Sequence, residues 1–259
     1  MRRGDLVLDL GVGTGTLTAP LVRAGARVVA VERNPALAAR LRRRFNRANV
    51  AVLERDVLDV PLPGRSYHVV ASVPFSVTTP LLDRLLDQPD SPLEQAALVV
   101  EWGAGKRVSH HRPADPRILW WRARFDVRVA GQIRAQSFRP APRVDAAVLV
   151  AVRQASPIVP RREQTPFARL LAKAFPTRRA PVGEALAPIF SKRQLRRLVS
   201  DLGIDREMPI GLLGIEQWAA INATMMALVD PARWPRASPG WSRAPVTTPA
   251  RAPSVRRRT

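Results

Sequence analysis

A short apolar run interrupted only by Asp9, LVLDL (6–10), stands near the start of the chain and ends in a glycine-rich turn. It is too short for a helix and reads as a strand buried on both faces. A helical pattern follows near 16–24, and RVVAVE (27–32) reads as a second strand. Asn34–Pro35 pairs a capping side chain with a residue preset for the first helical turn, so an arginine-studded helix is expected to about Asn46. VAVLERD (50–56), HVVAS (68–72) and AALVVEW (96–102) read as further strands, with a helix at PLLDRLLD (80–87). FDVRVAGQI (125–133) and AAVLVAV (146–152), with a Pro-rich turn shortly before the second, read as a closing antiparallel pair. Strands alternating with helices predict an α/β fold, a doubly wound Rossmann-like sheet that binds ligands at the carboxyl ends of its strands.

Past ASPIVP (155–160) the strand pattern stops. TPFARLLAKAF, SKRQLRRLVSDLG and IEQWAAINATMMALV carry helical spacing alone. The expected organisation is a sheet domain over 1–154, a small all-helical domain over 160–228, and a tail over 229–259. That tail is rich in Pro and Arg and, from Pro231 on, lacks any acid; such a composition buries too little to order itself.

Charge narrows the class of partner. Lys and Arg number 42 against 21 Asp and Glu, a net charge of +21 over 259 residues. A surface of this sign binds polyanions by counterion release, and arginine forks onto phosphate and stacks on bases. The Arg40, Arg43, Arg44 cluster, the segment Lys106, Arg107 and Arg112 around His110–His111, and Arg178, Arg179, Arg193 and Arg197 are the candidate RNA contacts. With no cysteine and three histidines there is no thiol chemistry, and no metal site is expected. No apolar run approaches the roughly 18 residues of a membrane span, and MRRGDLVLDL makes a poor signal peptide, so a cytoplasmic protein without a membrane partner is expected.

The first turn, Asp9-Leu10-Gly11-Val12-Gly13-Thr14-Gly15-Thr16, spaces its glycines G-x-G-x-G rather than in the dinucleotide pattern, and no lysine follows as in a phosphate-binding loop. Glu32 ends strand two, where a carboxylate accepts both hydroxyls of a ribose. Asp56, beside Val57, is read as closing strand three and accepting from an adenine amine. Asp9, inside strand one, is a costly buried charge unless it meets a cation or donors. A sulfonium nucleoside with an amino-acid head satisfies all three, and S-adenosylmethionine is the expected cofactor, held by Asp9, Leu10, Gly11, Gly13, Gly15, Glu32, Arg33, Asp56, Val57 and Ser72.

DLGVGTGTLT, VVAVERNP, LERDVLDV and ASVPF together resemble the ribosomal RNA adenine N6-methyltransferases. RPADPRILWWRARFDVRVAGQI and SFRPAPRVDAAVL are similar to the erythromycin-resistance branch, which modifies 23S rRNA. The resemblance spans about residues 5–225. It implies a Rossmann-like S-adenosylmethionine-dependent methyltransferase sheet, a monomer that acts on 23S rRNA, naked or in an early large-subunit precursor, and macrolide–lincosamide–streptogramin resistance. It also assigns roles at strand four, where the family carries Asn and this chain carries Ser72. Ser72 and a backbone carbonyl at Val73–Pro74 would accept from the target amine, Phe75 would stack on the extruded base, and Phe138 would cover its other face. The hydroxyl is shorter than the amide and rotates; monomethylation is expected to be favoured over dimethylation, and a non-catalytic RNA-binding descendant is the alternative. The family's upstream element that lids the cofactor has no counterpart before Met1, which is read as a late-assigned start. Trp120–Trp121 are expected to pack a helix onto the sheet.

Overall fold

Strand β1 (Leu6–Leu10) is buried at all five positions, which is why its sequence shows no alternation. In the computed structural model, which describes residues 2–46, 48–113 and 115–236, it lies inside a sheet ordered β3-β2-β1-β4-β5-β7-β6. The other strands are β2 (Arg27–Glu32), β3 (Val50–Glu54), β4 (Tyr67–Ser72), β5 (Leu93–Glu101), β6 (Phe125–Ile133) and β7 (Ala146–Arg153). The first five run parallel and β7 runs antiparallel to β5. Helices α1 (Thr18–Arg23), α2 (Pro35–Arg44) and α3 (Thr78–Leu86) connect parallel strands, so the carboxyl ends of those strands gather on one edge.

The register fixes what each face carries. Val7 pairs with Val28 and Val28 with Val50; Asp9 pairs with Ala30 and with Val70 of β4. Leu21 and Val22 of α1 and Leu41 of α2, with the following Phe45, cover this face, so the pleat directs Asp9 into an apolar layer. α2 starts as the sequence implies: Asn34 accepts from the amides of Ala36 and Leu37, and Pro35 occupies the first turn. β3 stops at Glu54, so Asp56 does not close the strand as expected but lies in the turn beyond it.

Two compact units divide the described residues. The sheet unit comprises residues up to 106 and 127–153; the helical unit comprises 107–126 and the chain from 154. The single boundary read near 154 is therefore incomplete, because 107–126 belong with the helices. In that unit α5 (Pro116–Arg122) packs against α6 (Gln164–Ala174), and Trp120 and Trp121 are buried there. α4 (Trp102–Ser109) carries the chain from one unit into the other. α7 (Val182–Leu186), α8 (Lys192–Asp201) and α9 (Ile215–Leu228) complete the unit, with the fully buried Trp218 against Phe175, ring centroids 6.2 Å apart. Ser191 and Gln194 close a reciprocal cap on α8. The expected disordered tail begins with structure: Pro231–Arg233 form a 3-10 turn and the Trp234 indole N–H donates to the Val229 carbonyl at 2.9 Å. From residue 237 the tail lies outside the described residues.

Candidate active site at the carboxyl edge of the sheet

The glycine-rich loop leaves β1 and is tied at once to β2. The amides of Gly11 and Val12 donate to the Val31 carbonyl at 2.9 and 3.2 Å. The Gly13 amide donates to Glu32 Oε2 at 2.9 Å, and Glu32 Oε1 accepts from the Asn34 amide at 2.8 Å. Glu32 is thus pinned by both oxygens, which orients its carboxylate at the strand end. A Cβ at Gly13 would meet nothing within 4 Å, whereas one at Gly11, whose φ is +73°, would stand 2.8 Å from Val73 Cγ1 and 3.1 Å from the Ser72 carbonyl oxygen. Only glycine lets β1's loop and β4's corner touch. Leu10 is fully buried.

Asp9 is 1 % exposed. Its Oδ2 accepts from the buried Thr18 hydroxyl at 2.6 Å, and its Oδ1 has no hydrogen-bond partner among the described residues. Burial pushes its carboxyl up to about 6, the Thr18 bond opposing that only in part. A half-satisfied buried carboxylate is what a cationic ligand with N–H donors completes, so the residues present fit the amino-acid head of S-adenosylmethionine. Thr18 escapes the sequence reading; its signal is a hydroxyl in the first turn of the helix that follows a strand aspartate.

Asp56 Oδ1 accepts from the Leu58 amide at 2.9 Å, and its Oδ2 lies 3.9 Å from the Arg33 guanidinium. Val57, half-buried, sits inside that turn. At the end of β4, Ser72 and Pro74 are exposed, Val73 is buried and Phe75 half-buried at the start of a 3-10 turn over Phe75–Val77. The Pro74 carbonyl accepts from Val77 at 2.9 Å. Of the two carbonyls nominated as amine acceptors, that of Val73 is the one not engaged by the turn. By register Ser72 shares the face that carries Asp9, since Val70 pairs with Asp9.

Phe138, half-buried, lies in the segment joining β6 to β7. Ala146, the first residue of β7, pairs with Glu101, the last of β5, which brings this segment to the same carboxyl edge. Asp145 staples it: its carboxylate accepts from the Ala135 amide at 2.9 Å and Gln132 Nε2 at 2.7 Å, while its carbonyl accepts from the Trp102 amide at 3.0 Å. Asp145 is a second residue the sequence reading passed over.

The arginines of α2 divide. Arg40 and Arg43 are exposed, Arg42 pairs with Glu54 at 3.4 Å, and Arg44 donates to the Thr14 carbonyl at 2.7 Å. Arg44, exposed like its neighbours, thus also contacts the glycine-rich loop. Lys106 and Arg107 lie on α4 rather than in a loop, Lys106 with its ammonium 5.7 Å from the Trp102 ring centre. His110 and His111 are exposed and stacked at 4.6 Å beside the exposed Arg112. Arg178, Arg179, Arg193 and Arg197 are exposed in the helical unit, Arg197 within 3.5 Å of Asp201.

A model of the family "Ribosomal RNA adenine dimethylase" matches residues 1–226. The chain is 32% identical over 235 residues to an "rRNA adenine N-6-methyltransferase" of Bacillus licheniformis, covering 90% of this chain and 82% of that one. It is also 32% identical over 238 residues to "Ribosomal RNA small subunit methyltransferase A" of Thermosynechococcus vestitus, covering 87% and 88%. The crystal structure of the 23S rRNA methyltransferase ErmE superimposes with a TM-score of 0.78 at 22% identity, over 87% of this chain and 93% of that one, which establishes the fold as the Rossmann-like methyltransferase sheet with a helical region after it.

Proposed function

Because the chain belongs to the ribosomal RNA adenine dimethylase family and is an S-adenosylmethionine-dependent rRNA adenine N6-methyltransferase, we propose that its target is one adenine of 23S rRNA. The consequence is resistance to macrolides, lincosamides and streptogramins, exerted by a cytoplasmic monomer. The observation that carries this reading is the SFRPAP segment, which is similar to the erythromycin-resistance branch and bears Phe138 on the edge that holds Ser72–Phe75.

Asp9, Gly11, Gly13, Glu32 and Asp56 would hold the cofactor, Asp9 toward its ammonium and Glu32 toward its ribose. S-adenosylmethionine supplies a methyl carbon made electrophilic by the adjoining sulfonium. An adenine amine is a weak nucleophile because its lone pair is delocalised into the ring. In this chain the Val73 carbonyl and the Ser72 hydroxyl accept its two N–H bonds and draw the nitrogen toward tetrahedral geometry. Pro74 stiffens the corner, and Phe75 and Phe138 hold the extruded base flat. The nitrogen would form its bond to the methyl carbon as the carbon–sulfur bond breaks and the neutral thioether, S-adenosylhomocysteine, leaves; the amine's proton then passes to solvent, so no side-chain base is required.

Ser72 offers one short, rotatable acceptor where the family has an amide. It orients an already methylated amine less well, and monomethyladenine dominates the product; mass spectrometry of the modified rRNA finding chiefly dimethyladenine refutes this. Expression in a macrolide-sensitive bacterium, with drug resistance and primer-extension stops on 23S rRNA as readouts, tests the main reading. The Thermosynechococcus relative, named as a small-subunit methyltransferase at the same identity, supports a second target. Stops on small-subunit rRNA without drug resistance decide for that one.

A further inference from the structure

One arginine of the exposed α2 cluster also reaches back to the loop after β1. Arg44 Nη1, from the last turn of the helix, donates to the carbonyl of Thr14 at 2.7 Å. Thr14 stands between Gly13 and Gly15, whose φ values of +57° and +87° mark backbone that glycine makes possible and leaves pliant. The same end of α2 grips the next residue apolarly. A Cβ at Gly15 would stand 3.0 Å from Phe45 Cε2 and 3.0 Å from Leu41 Cδ2, so those side chains close on the bare backbone. The Arg44 guanidinium lies over the Phe45 ring, 5.2 Å from its centre, joining the polar and the apolar grip into one brace.

We propose that Arg44 is a positioning residue for the methyl donor, holding the Gly13–Gly15 turn through the Thr14 carbonyl in the conformation that receives it. The inference rests on the reading of this loop as the donor site. Three features favour positioning over support of the fold or contact with RNA. The Thr14 carbonyl is exposed, so water would satisfy it and the bond is not needed to solvate a buried group. The loop's next amide back, at Gly13, donates to Glu32, so a shift at Thr14 is transmitted to the carboxylate placed for the ribose. Arg44, exposed like Arg43 one residue earlier, already commits one guanidinium N–H to the loop carbonyl.

Calorimetric titration of the full chain with S-adenosylmethionine and S-adenosylhomocysteine tests this, alongside filter binding to a 23S rRNA fragment. Arg44→Ala is expected to raise the Kd for both nucleosides by about tenfold, the order of one charge-assisted hydrogen bond. The rate at saturating donor, the RNA affinity and the melting temperature of the free protein should stay near wild type. Arg44→Lys should recover part of the loss, because an ammonium still donates to a carbonyl. Arg43→Ala should do the reverse, leaving the nucleoside Kd alone while weakening RNA and flattening its salt dependence. Wild-type nucleoside affinity in Arg44→Ala with weakened RNA binding overturns the inference in favour of a phosphate contact. A fall in melting temperature that accompanies the affinity loss equally in the Ala and Lys variants overturns it in favour of fold support. A wild-type chain that binds neither nucleoside removes the donor-site reading itself, an outcome distinct from both.

Discussion

The two edges of the sheet treat their polar groups in opposite ways. At the amino edge polar groups meet one another: His68 Nε2 lies 3.4 Å from Asp5, the Tyr67 hydroxyl 3.4 Å from Ser91 Oγ, and Arg153 Nε donates to the Leu93 carbonyl at 2.7 Å. Burial pushes the Tyr67 phenol up, the Ser91 bond opposing that in part. At the carboxyl edge one oxygen of Asp9 is unmatched, Ser72 stands exposed, and glycines leave the backbone bare. Identical strands bound both edges, so the difference lies in what the loops bring. Stability is assembled at one end, and unsatisfied capacity is kept at the other.

The largest test of that contrast is Phe75→Ala. Loss of a base-stacking aromatic costs on the order of 1–3 kcal/mol, so kcat/KM should fall by up to about a hundredfold. Phe75 is only half-buried, so circular dichroism should report an intact fold. Gly11→Ala comes next. Its methyl would press on Val73 and Ser72 from a left-handed backbone, costing about 1–2 kcal/mol of stability by the strain alone. Activity should drop more than tenfold because the target corner moves; unchanged methylation with a lowered melting temperature would show that the corner does not depend on this contact.

Asp9→Asn should give a pH signature. The folded carboxyl is raised from 3.8 to about 6. The contribution of neutral Asp9 to stability is therefore complete below about pH 3.8 and lost as pH climbs toward 6, a change on the order of 3 kcal/mol. Above pH 6 the ionised group burdens the free protein but attracts the donor's ammonium. Nucleoside affinity of the wild type should rise with pH up to about 6 and then level. In the Asn variant it should be flat across that window and about tenfold weaker at pH 8, as isothermal titration at several pH values will reveal. The smallest effect belongs to the other edge. Tyr67→Phe should cost about 1 kcal/mol in urea unfolding and leave nucleoside affinity and methylation untouched; a loss of activity there would erase the distinction between the edges.

The sheet was legible because β1 and β2 are buried on both faces and write themselves as short, mainly apolar runs without alternation, while Asn34–Pro35 punctuates the helix that follows. The glycine-rich loop was legible as a place of close backbone approach, which Gly11 and Gly15 show, because three glycines at alternate positions have few other uses. What escaped depends on distance rather than pattern. Periodicity places Arg40, Arg43 and Arg44 on one helix but does not say which of them reaches 30 residues back to Thr14. Trp120 and Trp121 are buried, but they belong to the helical unit where the expectation placed them against the sheet; composition has no means of assigning them there, because the chain enters that unit, returns for β6 and β7, and enters again. Asp145 looked like a loop acid; its role as a staple exists only once β5 and β7 lie side by side.

That staple has a cost for the substrate. With Asp145 tying both ends of the Phe138 segment to the sheet, little of that segment is left to rearrange when the enzyme meets its nucleic acid. The labour of unstacking a purine then falls on the RNA. Adenines in loosely paired stretches should be preferred, and rRNA transcripts still awaiting assembly should be easier prey than those already locked inside a ribosomal subunit.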